Sequence, residues 1–325
     1  MNTKAENLKS RILECDDFDS LAIEVFQFQA EHNVVYSKYL SLLNTDPSTV
    51  NHISQIPFLP VEAFKSNHVK TGEFNPEAIF KSSGTTNSIR SEHHVKSLKW
   101  YHEVSVRIYN ELVGEVGEAN WFGLLPGYSK ESSLVDMVKN FMRVSGSNEN
   151  FHLDDFNAFS QEIQQSQNPV LIGVTHAILS CLDTVDFDLQ KVTIIETGGM
   201  KGHGREPLRS EVHSRISDVF PKAQILSEYG MTELLSQAYS LDGKYFESPP
   251  WMRILIKDTA DPMTQVEAGR TGRVQIVDLA NIDSCAFIST SDLGRMEPVE
   301  GSNRFEILGR FDHSEVRGCN LLSVN

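Results

Sequence analysis

The stretch PVLIGVTHAILSCL, residues 169–182, indicates how this chain folds. Its first half is a short apolar run rich in Val, Ile and Leu, which predicts a buried strand at residues 169–174. Apolar residues then recur at helical spacing, which predicts a helix at residues 176–182. Another strand is predicted at residues 191–196. A strand, a helix and a second strand in this order are typical of a parallel or mixed sheet covered by helices.

Helix and strand signals keep alternating on both sides of this stretch. Helical spacing of apolar residues predicts helices, and short runs of β-prone residues predict strands between them. The predicted helices are residues 97–113, 132–144 and 206–220; a strand and turn are predicted at residues 121–129, and a strand at residues 224–227. The middle of the chain is therefore expected to be an α/β core.

The two ends of the chain differ from this core. Apolar residues recur three and four apart over residues 8–43, which predicts a helical lead-in. The two prolines of IPFLPVEAFK, residues 56–65, favour an extended entry to a sheet. From Trp251 onward, short strands separated by turns predict a small β-rich subdomain. We therefore expect three parts: a lead-in at 1–75, an α/β core at 76–245, and a β-rich part at 246–325.

The composition argues against several classes of function. The chain has 325 residues with 29 basic and 44 acidic side chains, a net charge of −15, so nucleic acid and anionic membranes are not expected as partners. Charged residues interrupt every apolar run near the N-terminus, which argues against a signal peptide. Residues 169–182 are shorter than the roughly 20 residues that span a bilayer. We expect a soluble, cytoplasmic protein.

The four cysteines indicate neither a zinc site nor a disulfide framework. They are Cys15, Cys181, Cys285 and Cys319, and they lie far apart without the spacing of metal ligands.

Four short polar segments occur in a fixed order along the chain. They are KSSGTTNSIR at 81–90, SEYGMTE at 227–233, STSDLG at 289–294 and LGRFDHSEVRG at 308–318. Each segment is a weak signal alone. The ordered set indicates a nucleotide site.

The first segment is suited to binding phosphate. Its hydroxyl and backbone N–H groups surround a flexible glycine and can converge on phosphate oxygens. The residues concerned are Ser82, Ser83, Gly84, Thr85 and Thr86. The segment is not a Walker A motif, because it has no Gly-Lys pair at the required spacing. In isolation such a string is usually an ordinary polar turn.

The second segment, Tyr229-Gly230-Met231-Thr232-Glu233, combines an aromatic ring, a hydroxyl and a carboxylate. Tyr229 is suited to stack on a purine, Thr232 to bond a phosphate, and Glu233 to bind Mg²⁺ as a hard oxygen ligand. A helix is predicted to begin near Thr232. The alternative interpretation is a helix N-cap at Thr232 with Glu233 in the first turn.

Asp292 and Arg310 are candidates for the remaining nucleotide contacts. Asp292 is predicted in a turn after the strand CAFIST, where its carboxylate can accept both ribose hydroxyls; the alternative is a turn-forming side chain. Arg310 is predicted just after the strand RFEILG, where it can reach a ribose or a phosphate. The alternative for Arg310 is a surface ion pair.

Two further features point to chemistry. ETGGMKGHGRE, residues 196–206, is a glycine-rich loop between a strand and a helix, where open α/β sheets place ligands. Gly198 and Gly199 allow close backbone approach to a ligand, and Lys201 adds positive charge; the alternative is a mobile loop. Cys319 follows Arg317, which favours its nucleophilic thiolate. A lone cysteine is more often a small buried apolar residue.

The four segments together resemble the adenylate-forming superfamily of acyl-CoA synthetases, nonribosomal adenylation domains and luciferases. More specifically, the chain resembles the LuxE-like acyl-protein synthetases. IPFLPVEAFK, SSGTT, LLPGYSKESSLVDMV, ETGGMKG, YGMTE and RGCNL carry this resemblance, and they extend from Ile56 to Leu321. The resemblance implies the large N-terminal α/β domain of such enzymes, with mixed sheets covered by helices.

The resemblance also implies a reaction. Members of that family activate a carboxylic acid, in this case expected to be a fatty acid, with ATP and Mg²⁺. They then move the acyl group from the adenylate to a cysteine near their own C-terminus, which Cys319 matches. A reductase partner then accepts the acyl group. Thr85 and Thr86 would hold phosphates, Tyr229 the adenine, and Glu233 the Mg²⁺.

The superfamily usually carries a smaller C-terminal domain with a lysine that acts in adenylation. Because this sequence ends at Asn325, we expect that domain and its lysine to be absent. Lys201, Lys81 and Arg310 are then the candidate cations at the α-phosphate. The acyl tail is expected near Phe122, Leu125, Val174 and His176.

Two alternatives remain open from the sequence. One is an acyl- or aryl-CoA ligase that resembles the phenylacetate type, completed by another chain. The other is a non-catalytic module that binds a nucleotide or an acyl group, since one fold supports many functions.

Overall fold

The computed structural model describes residues 2–83, 89–125, 131–149, 151, 156–184, 191–198 and 207–311, with residues 156–160 described by their backbone only. The helices are α1 (Asn2–Glu14), α2 (Phe18–His32), α3 (Val34–Leu42), α4 (Ala63–Ser66), α5 (Leu98–Leu112), α6 (Ser133–Ser145), α7 (Phe156–Gln165), α8 (Thr175–Leu182) and α9 (Arg209–Val219). The strands are β1 (Leu59–Pro60), β2 (Ala78–Lys81), β3 (Glu92–Val95), β4 (Asn120–Leu124), β5 (Pro169–Gly173), β6 (Thr193–Glu196), β7 (Gln224–Tyr229), β8 (Ala238–Ser240), β9 (Met252–Lys257), β10 (Gly272–Asp278), β11 (Phe287–Met296) and β12 (Phe305–Arg310).

The predicted alternation of strands and helices forms a five-stranded sheet in the order β4-β5-β6-β7-β8. The first four strands are parallel, and β8 is antiparallel to β7. Every residue of β5 is buried, as expected for a central parallel strand covered on both faces. The strand–helix–strand prediction for residues 169–196 is confirmed.

A second sheet contains the strands predicted after Trp251. Its order is β1-β11-β10-β9, and β12 pairs with the outer part of β11. The proline-rich entry segment supplies β1, which pairs parallel with β11 through Leu59 and Ile288. The predicted extended entry to a sheet is therefore confirmed.

The helical lead-in packs on the C-terminal half of the chain. The buried amide of Gln29 in α2 donates to the backbone carbonyls of Asn281, Ile282 and Ser284 and accepts from the N–H of Ala286. Phe26 and Tyr36 pack their rings against Phe287 in the same region. The predicted division at residues 75 and 245 stays a prediction.

Three local predictions are wrong. No helix begins near Thr232: residues 230–237 run as turns and irregular backbone from β7 to β8. Asp292 lies inside β11 and not in a turn, because β12 pairs with β11 and extends it; Asp292 is the register partner of Arg310. Arg310 is consequently the last residue of β12 instead of following it.

A buried carboxylate explains why residues 230–237 do not form a helix. Asp278 is fully buried, and its Oδ2 accepts from the backbone N–H groups of Leu235 and Ser236 at 2.8 and 2.9 Å. Its Oδ1 accepts from the Ser236 hydroxyl at 2.7 Å. Trp251 Nε1 also donates to that hydroxyl. These bonds give the backbone donors a partner outside any helix.

None of the described helices is both long enough and apolar enough to cross a membrane.

We predict that Asp278→Asn lowers the free energy of unfolding by about 3 kcal/mol, because the amide NH₂ replaces an acceptor and leaves buried donors unpaired. Urea unfolding measures the change. The control Asp218→Asn, at an exposed position of α9, is expected to change stability little. Equal stability of the two variants would contradict this role of Asp278.

Candidate active site

A cavity of about 440 Å³ opens at the end of β7 and brings together most of the described residues that the sequence predicted. Those that line it are Ser82, Ser83, Gly198, Gly230, Thr232, Glu233, Asp292 and Arg310. Other predicted residues, namely Gly84, Thr85, Thr86, Gly199, Lys201 and Cys319, lie outside the described residues. Cavities of this size hold small-molecule ligands in many proteins.

Asp292 and Arg310 lie together at one end of the cavity, and the Tyr229 hydroxyl reaches Asp292 there. The Tyr229 hydroxyl donates to Asp292 Oδ2 at 2.8 Å, and Arg310 Nε lies 3.7 Å from Asp292 Oδ1. Burial raises the pKa of Asp292, while the hydrogen bond from Tyr229 and the charge of Arg310 act in the opposite direction. The side chain of Arg310 is 82% exposed and free to turn towards a ligand. This end is therefore suited to hydroxyl donors and to an anion.

The ring of Tyr229 packs against protein aromatics. Its centroid lies 5.8 Å from those of Phe246 and Phe305. The described lining of the cavity does not include Tyr229, although its hydroxyl reaches Asp292 there. Stacking of Tyr229 on a purine stays a prediction.

Glu233 presents a buried carboxylate to the cavity. Burial raises its pKa, and a hydrogen bond with the Ser91 side chain opposes that shift. Mg²⁺ is usually bound through one or two carboxylates together with substrate phosphates. A single carboxylate on the same cavity as Ser82 and Ser83, which are predicted to bind phosphate, fits that mode, so Glu233 could hold Mg²⁺ when a nucleotide is bound.

Two buried side chains fix the turn that carries Thr232 and Glu233. His93 Nδ1 lies 2.8 Å from the Thr232 carbonyl, and Asn281 Nδ2 donates to the Glu233 carbonyl at 2.8 Å. Burial lowers the pKa of His93 to about 4, so the imidazole is neutral near pH 7 and its Nδ1–H is the donor. Neither residue was predicted from the sequence. Both reach this turn through long-range hydrogen bonds, which leave no local sequence pattern.

The candidate cations differ in their partners. Lys81 Nζ lies 2.9 Å from Glu131 Oε1 and 3.7 Å from Glu92 Oε1, so its charge is already balanced by carboxylates. Arg310 is the more exposed candidate. Lys65 also lines the cavity, and its charge acts on Glu233. The sequence reasoning missed Lys65, which stands in the proline-rich entry segment.

Gly198 lies just after β6 and lines the cavity. Its φ of +71° lies in the left-handed region that favours glycine. Its N–H donates to Glu196 Oε1 at 2.7 Å, and the Thr175 hydroxyl donates to the same oxygen. The buried carboxylate of Glu196 thus fixes the start of the glycine-rich loop.

The expected acyl-pocket residues do not line the cavity. Phe122, Leu125 and Val174 are buried in the core, and neither they nor His176 belong to the described lining. The parallel sheet uses these apolar side chains for its own packing. Instead, the described lining includes the apolar side chains Tyr101, Leu134 and Met137 together with Glu228 and Gln237.

Glu233 does not belong to a cluster of metal-ligand side chains. Within the described part of the chain, His68, Glu92 and His94 are a group that brings three possible ligand atoms within 4.8 Å of one another. His68 and Glu92 line a neighbouring depression beside Lys81.

Comparison with known proteins identifies the family. Residues 141–325, more than half of the chain, match the family model described as "Acyl-protein synthetase, LuxE". This chain belongs to the LuxE acyl-protein synthetase family. No curated protein sequence matches it.

Solved structures of adenylate-forming ligases share the fold of this LuxE-family chain. An open form of 2-hydroxyisobutyryl-CoA ligase in complex with 2-HIB-AMP and CoA has a TM-score of 0.68 at 13% identity, covering 91% of this chain and 70% of that one. ATP-bound MatB from Rhodopseudomonas palustris has a TM-score of 0.54 at 15% identity, covering 73% and 49%. The luciferase-like enzyme from the mealworm Zophobas morio has a TM-score of 0.54 at 15% identity, covering 79% and 62%. These identities establish the fold alone.

We predict that His93 makes stability depend on pH. Its folded pKa of about 4 lies below the ordinary value of 6.5, so protonation favours the unfolded chain, and stability falls as pH drops through this window. Between about pH 7 and about pH 5, His93 alone lowers the free energy of unfolding by about 2 kcal/mol. His93→Asn keeps a hydrogen-bond donor but removes the titrating group. Urea unfolding at both pH values should therefore show a smaller loss in the free energy of unfolding for this variant than for the parent chain.

The exposed His52 provides the control. His52→Asn should retain the full pH dependence of the parent chain. An unchanged loss of stability in His93→Asn would show that His93 does not hold this low pKa.

Proposed function

We propose that this chain activates a carboxylic acid with ATP to an acyl-adenylate and then transfers the acyl group to its own Cys319. The observation that carries this proposal is the convergence of Asp292, Arg310 and Glu233 on one cavity beside Ser82 and Ser83. Membership of the LuxE acyl-protein synthetase family and the fold of adenylate-forming ligases support it. As a consumer of ATP, the enzyme is proposed to act in the cytoplasm.

In the first step the substrate carboxylate attacks the α-phosphorus of ATP. A new C(O)–O–P bond forms, the bond to the pyrophosphate leaving group breaks, and acyl-adenylate and pyrophosphate result. Asp292 would accept the ribose hydroxyls, and Arg310 beside it would face the ribose or the phosphate. Such preorganised charges stabilise the charge that develops during the transfer.

Mg²⁺ would neutralise charge on the phosphates when it is bound. Glu233 is the described residue that would hold it, because its buried carboxylate faces the cavity and its backbone is fixed by Asn281. His93 fixes the adjacent Thr232 carbonyl, so the Thr232 side chain is held at the same edge.

In the second step the Cys319 thiolate would attack the acyl carbon of the adenylate. A thioester forms and AMP leaves. Cys319 lies outside the described residues, so support for this step comes from the family match, which includes residues 312–325, and from the neighbouring Arg317. An acyl acceptor such as a reductase would then take the acyl group from Cys319.

We predict that ATP and a suitable acid produce a hydroxylamine-labile acyl mass on the parent chain. Cys319→Ser should lose that adduct and keep acid-dependent ATP–pyrophosphate exchange, because the first step does not use the thiol. The matched control Cys15→Ser should keep both activities. The Cys15 thiol donates a hydrogen bond to the Pro250 carbonyl, and Cys15 lies outside the described cavity lining. Intact-protein mass spectrometry and radiolabelled pyrophosphate provide the readouts.

The other outcomes separate the competing functions. Exchange without any adduct, together with an acyl-CoA product when CoA is added, would establish a CoA ligase. Nucleotide binding without exchange for any acid would establish a binding module and would contradict the proposal.

We predict that Asp292→Asn raises the KM for ATP in the exchange reaction by about 10- to 100-fold, because a charged acceptor for ligand hydroxyls becomes neutral. The exposed control Asp16→Asn should leave this KM unchanged. A value for Asp292→Asn within about twofold of the parent would remove Asp292 from the nucleotide site.

A further inference from the structure

One wall of the cavity carries polar atoms that the described protein leaves without partners. We call Thr197, Glu228 and Gln237 the inner wall; all three line the cavity. Gln237 and Glu228 are only 5% and 8% exposed. The Oε1 atom of Gln237 and the Oγ1 atom of Thr197 are buried, and neither has a hydrogen-bond partner among the described residues. Because buried polar atoms are normally paired, these atoms are suited to meet a ligand.

Gly230 places the Glu228 carboxyl and the Gln237 side chain next to each other. A Cβ built on Gly230 would overlap Glu228 Oε1 and would lie 3.5 Å from Gln237 Cγ. The amide NH₂ of Gln237 already donates to the Leu235 carbonyl at 3.0 Å. Its oxygen therefore remains as a fixed acceptor beside a carboxyl group.

The carboxyl of Glu228 is suited to be uncharged in this setting. Burial, and then the charge of Glu196, raise the pKa of Glu228 to about 8. Near pH 7 its protonated form offers both a donor and an acceptor. No described cation forms an ion pair with it at the distances found elsewhere in the chain. The inner wall thus presents neutral hydrogen-bonding groups and not an ionic site.

The inner wall is separate from the nucleotide groups. Glu228 and Tyr229 are neighbours in β7, so their side chains point to opposite faces of the sheet. Tyr229 reaches Asp292, whereas Glu228 stands opposite Tyr239 in the β7–β8 pair and near Tyr101 of α5. The cavity extends past the end of β7 and reaches both groups.

We propose that the inner wall selects a carboxylic acid whose chain carries a neutral hydrogen-bond donor, a hydroxyl, in preference to an unsubstituted fatty acid. This inference rests on the proposed acyl-adenylate chemistry. An alkyl chain against the wall would displace water from Glu228 and Gln237 and leave them unpaired. Sites built to hydrogen-bond a substrate hydroxyl reject analogues that lack it far more strongly than apolar pockets reject a missing methylene.

The remaining lining agrees with a polar acid. Polar and charged side chains outnumber apolar ones in the described lining, in which Tyr101, Leu134 and Met137 supply the larger apolar surfaces on this side. The Tyr101 hydroxyl is already used as a donor to the Ser133 carbonyl. A short substituted chain can contact these apolar side chains and still bond the inner wall.

The test compares stable acyl-adenylate mimics that need no turnover. Acylsulfamoyl adenosines are made from butyric, 3-hydroxybutyric, 3-aminobutyric and octanoic acid, and their Kd values are measured by calorimetry on the full chain. We expect the hydroxyl compound to bind about tenfold or more tightly than the butyryl compound. The amine compound is a cation near pH 7, and tighter binding of it than of the hydroxyl compound would show an ionised Glu228 and contradict a neutral inner wall.

Matched variants locate the preference. Gln237→Leu keeps similar volume and removes the acceptor, so the preference should fall to about twofold or less, with little change for the butyryl compound. Glu228→Gln imitates a neutral carboxyl and should keep most of the preference, whereas Glu228→Leu should lose it. Gln275→Leu is the control, because Gln275 is likewise buried with an unpartnered Oε1 but lies in β10, outside the cavity lining.

Circular dichroism and urea unfolding show whether each variant is folded. If Glu228→Gln were the only folded variant to lose the preference for the hydroxyl compound, that result would count against the inference. The inference would be overturned if the parent chain bound the butyryl or octanoyl compound as tightly as the hydroxyl compound, or more tightly, even if acids support pyrophosphate exchange. Absence of exchange with every acid would instead overturn the proposed function. Failure to bind any of the four mimics would overturn both.

Discussion

Buried side chains hold the backbone of residues 230–237 outside any helix, at the edge of the cavity. Asp278 accepts from two backbone N–H groups and one hydroxyl, His93 binds the Thr232 carbonyl, and Asn281 binds the Glu233 carbonyl. His93 lies in β3, Asp278 is the last residue of β10, and Asn281 lies in the short 3-10 turn that follows β10. The arrangement joins the two larger sheets at one point, and the cavity lies there. A loss at this point would disturb both the fold and the site.

The site concentrates carboxyl groups in an already acidic chain. Burial raises the pKa of Glu228, Glu233 and Asp292 alike, so each is costly to ionise without a ligand or partner. Their surroundings divide them into roles. Asp292 has a tyrosine hydroxyl and a guanidinium, Glu233 has a serine hydroxyl and the charge of Lys65, and Glu228 has no described cation. These three environments match the roles proposed for the groups, with a ribose for Asp292, a metal ion for Glu233 and a neutral polar substrate for Glu228.

Much of the fold followed from the sequence, and the site followed only in part. Apolar runs such as residues 169–174 predict buried strands correctly, because local periodicity reflects burial. Asp292 and Thr232 were assigned the wrong local structure, because pairing with β12 and bonding to Asp278 are long-range effects that override turn and helix signals. For the same reason, His93, Asn281 and Lys65 were missed. The acyl tail near Phe122 and Val174 stays a prediction, since both side chains are buried in the core and do not belong to the described lining of this cavity.

The most direct test is a crystal structure of the chain with a hydroxylated acylsulfamoyl adenosine. We expect the ribose hydroxyls to lie within hydrogen-bond distance of Asp292, and the sulfamoyl group to lie near Arg310 and Ser83. We also expect the substrate hydroxyl to form a hydrogen bond with Gln237 or Glu228. A nucleotide bound outside this cavity, or an acyl chain turned away from Glu228 and Gln237, would contradict these expectations.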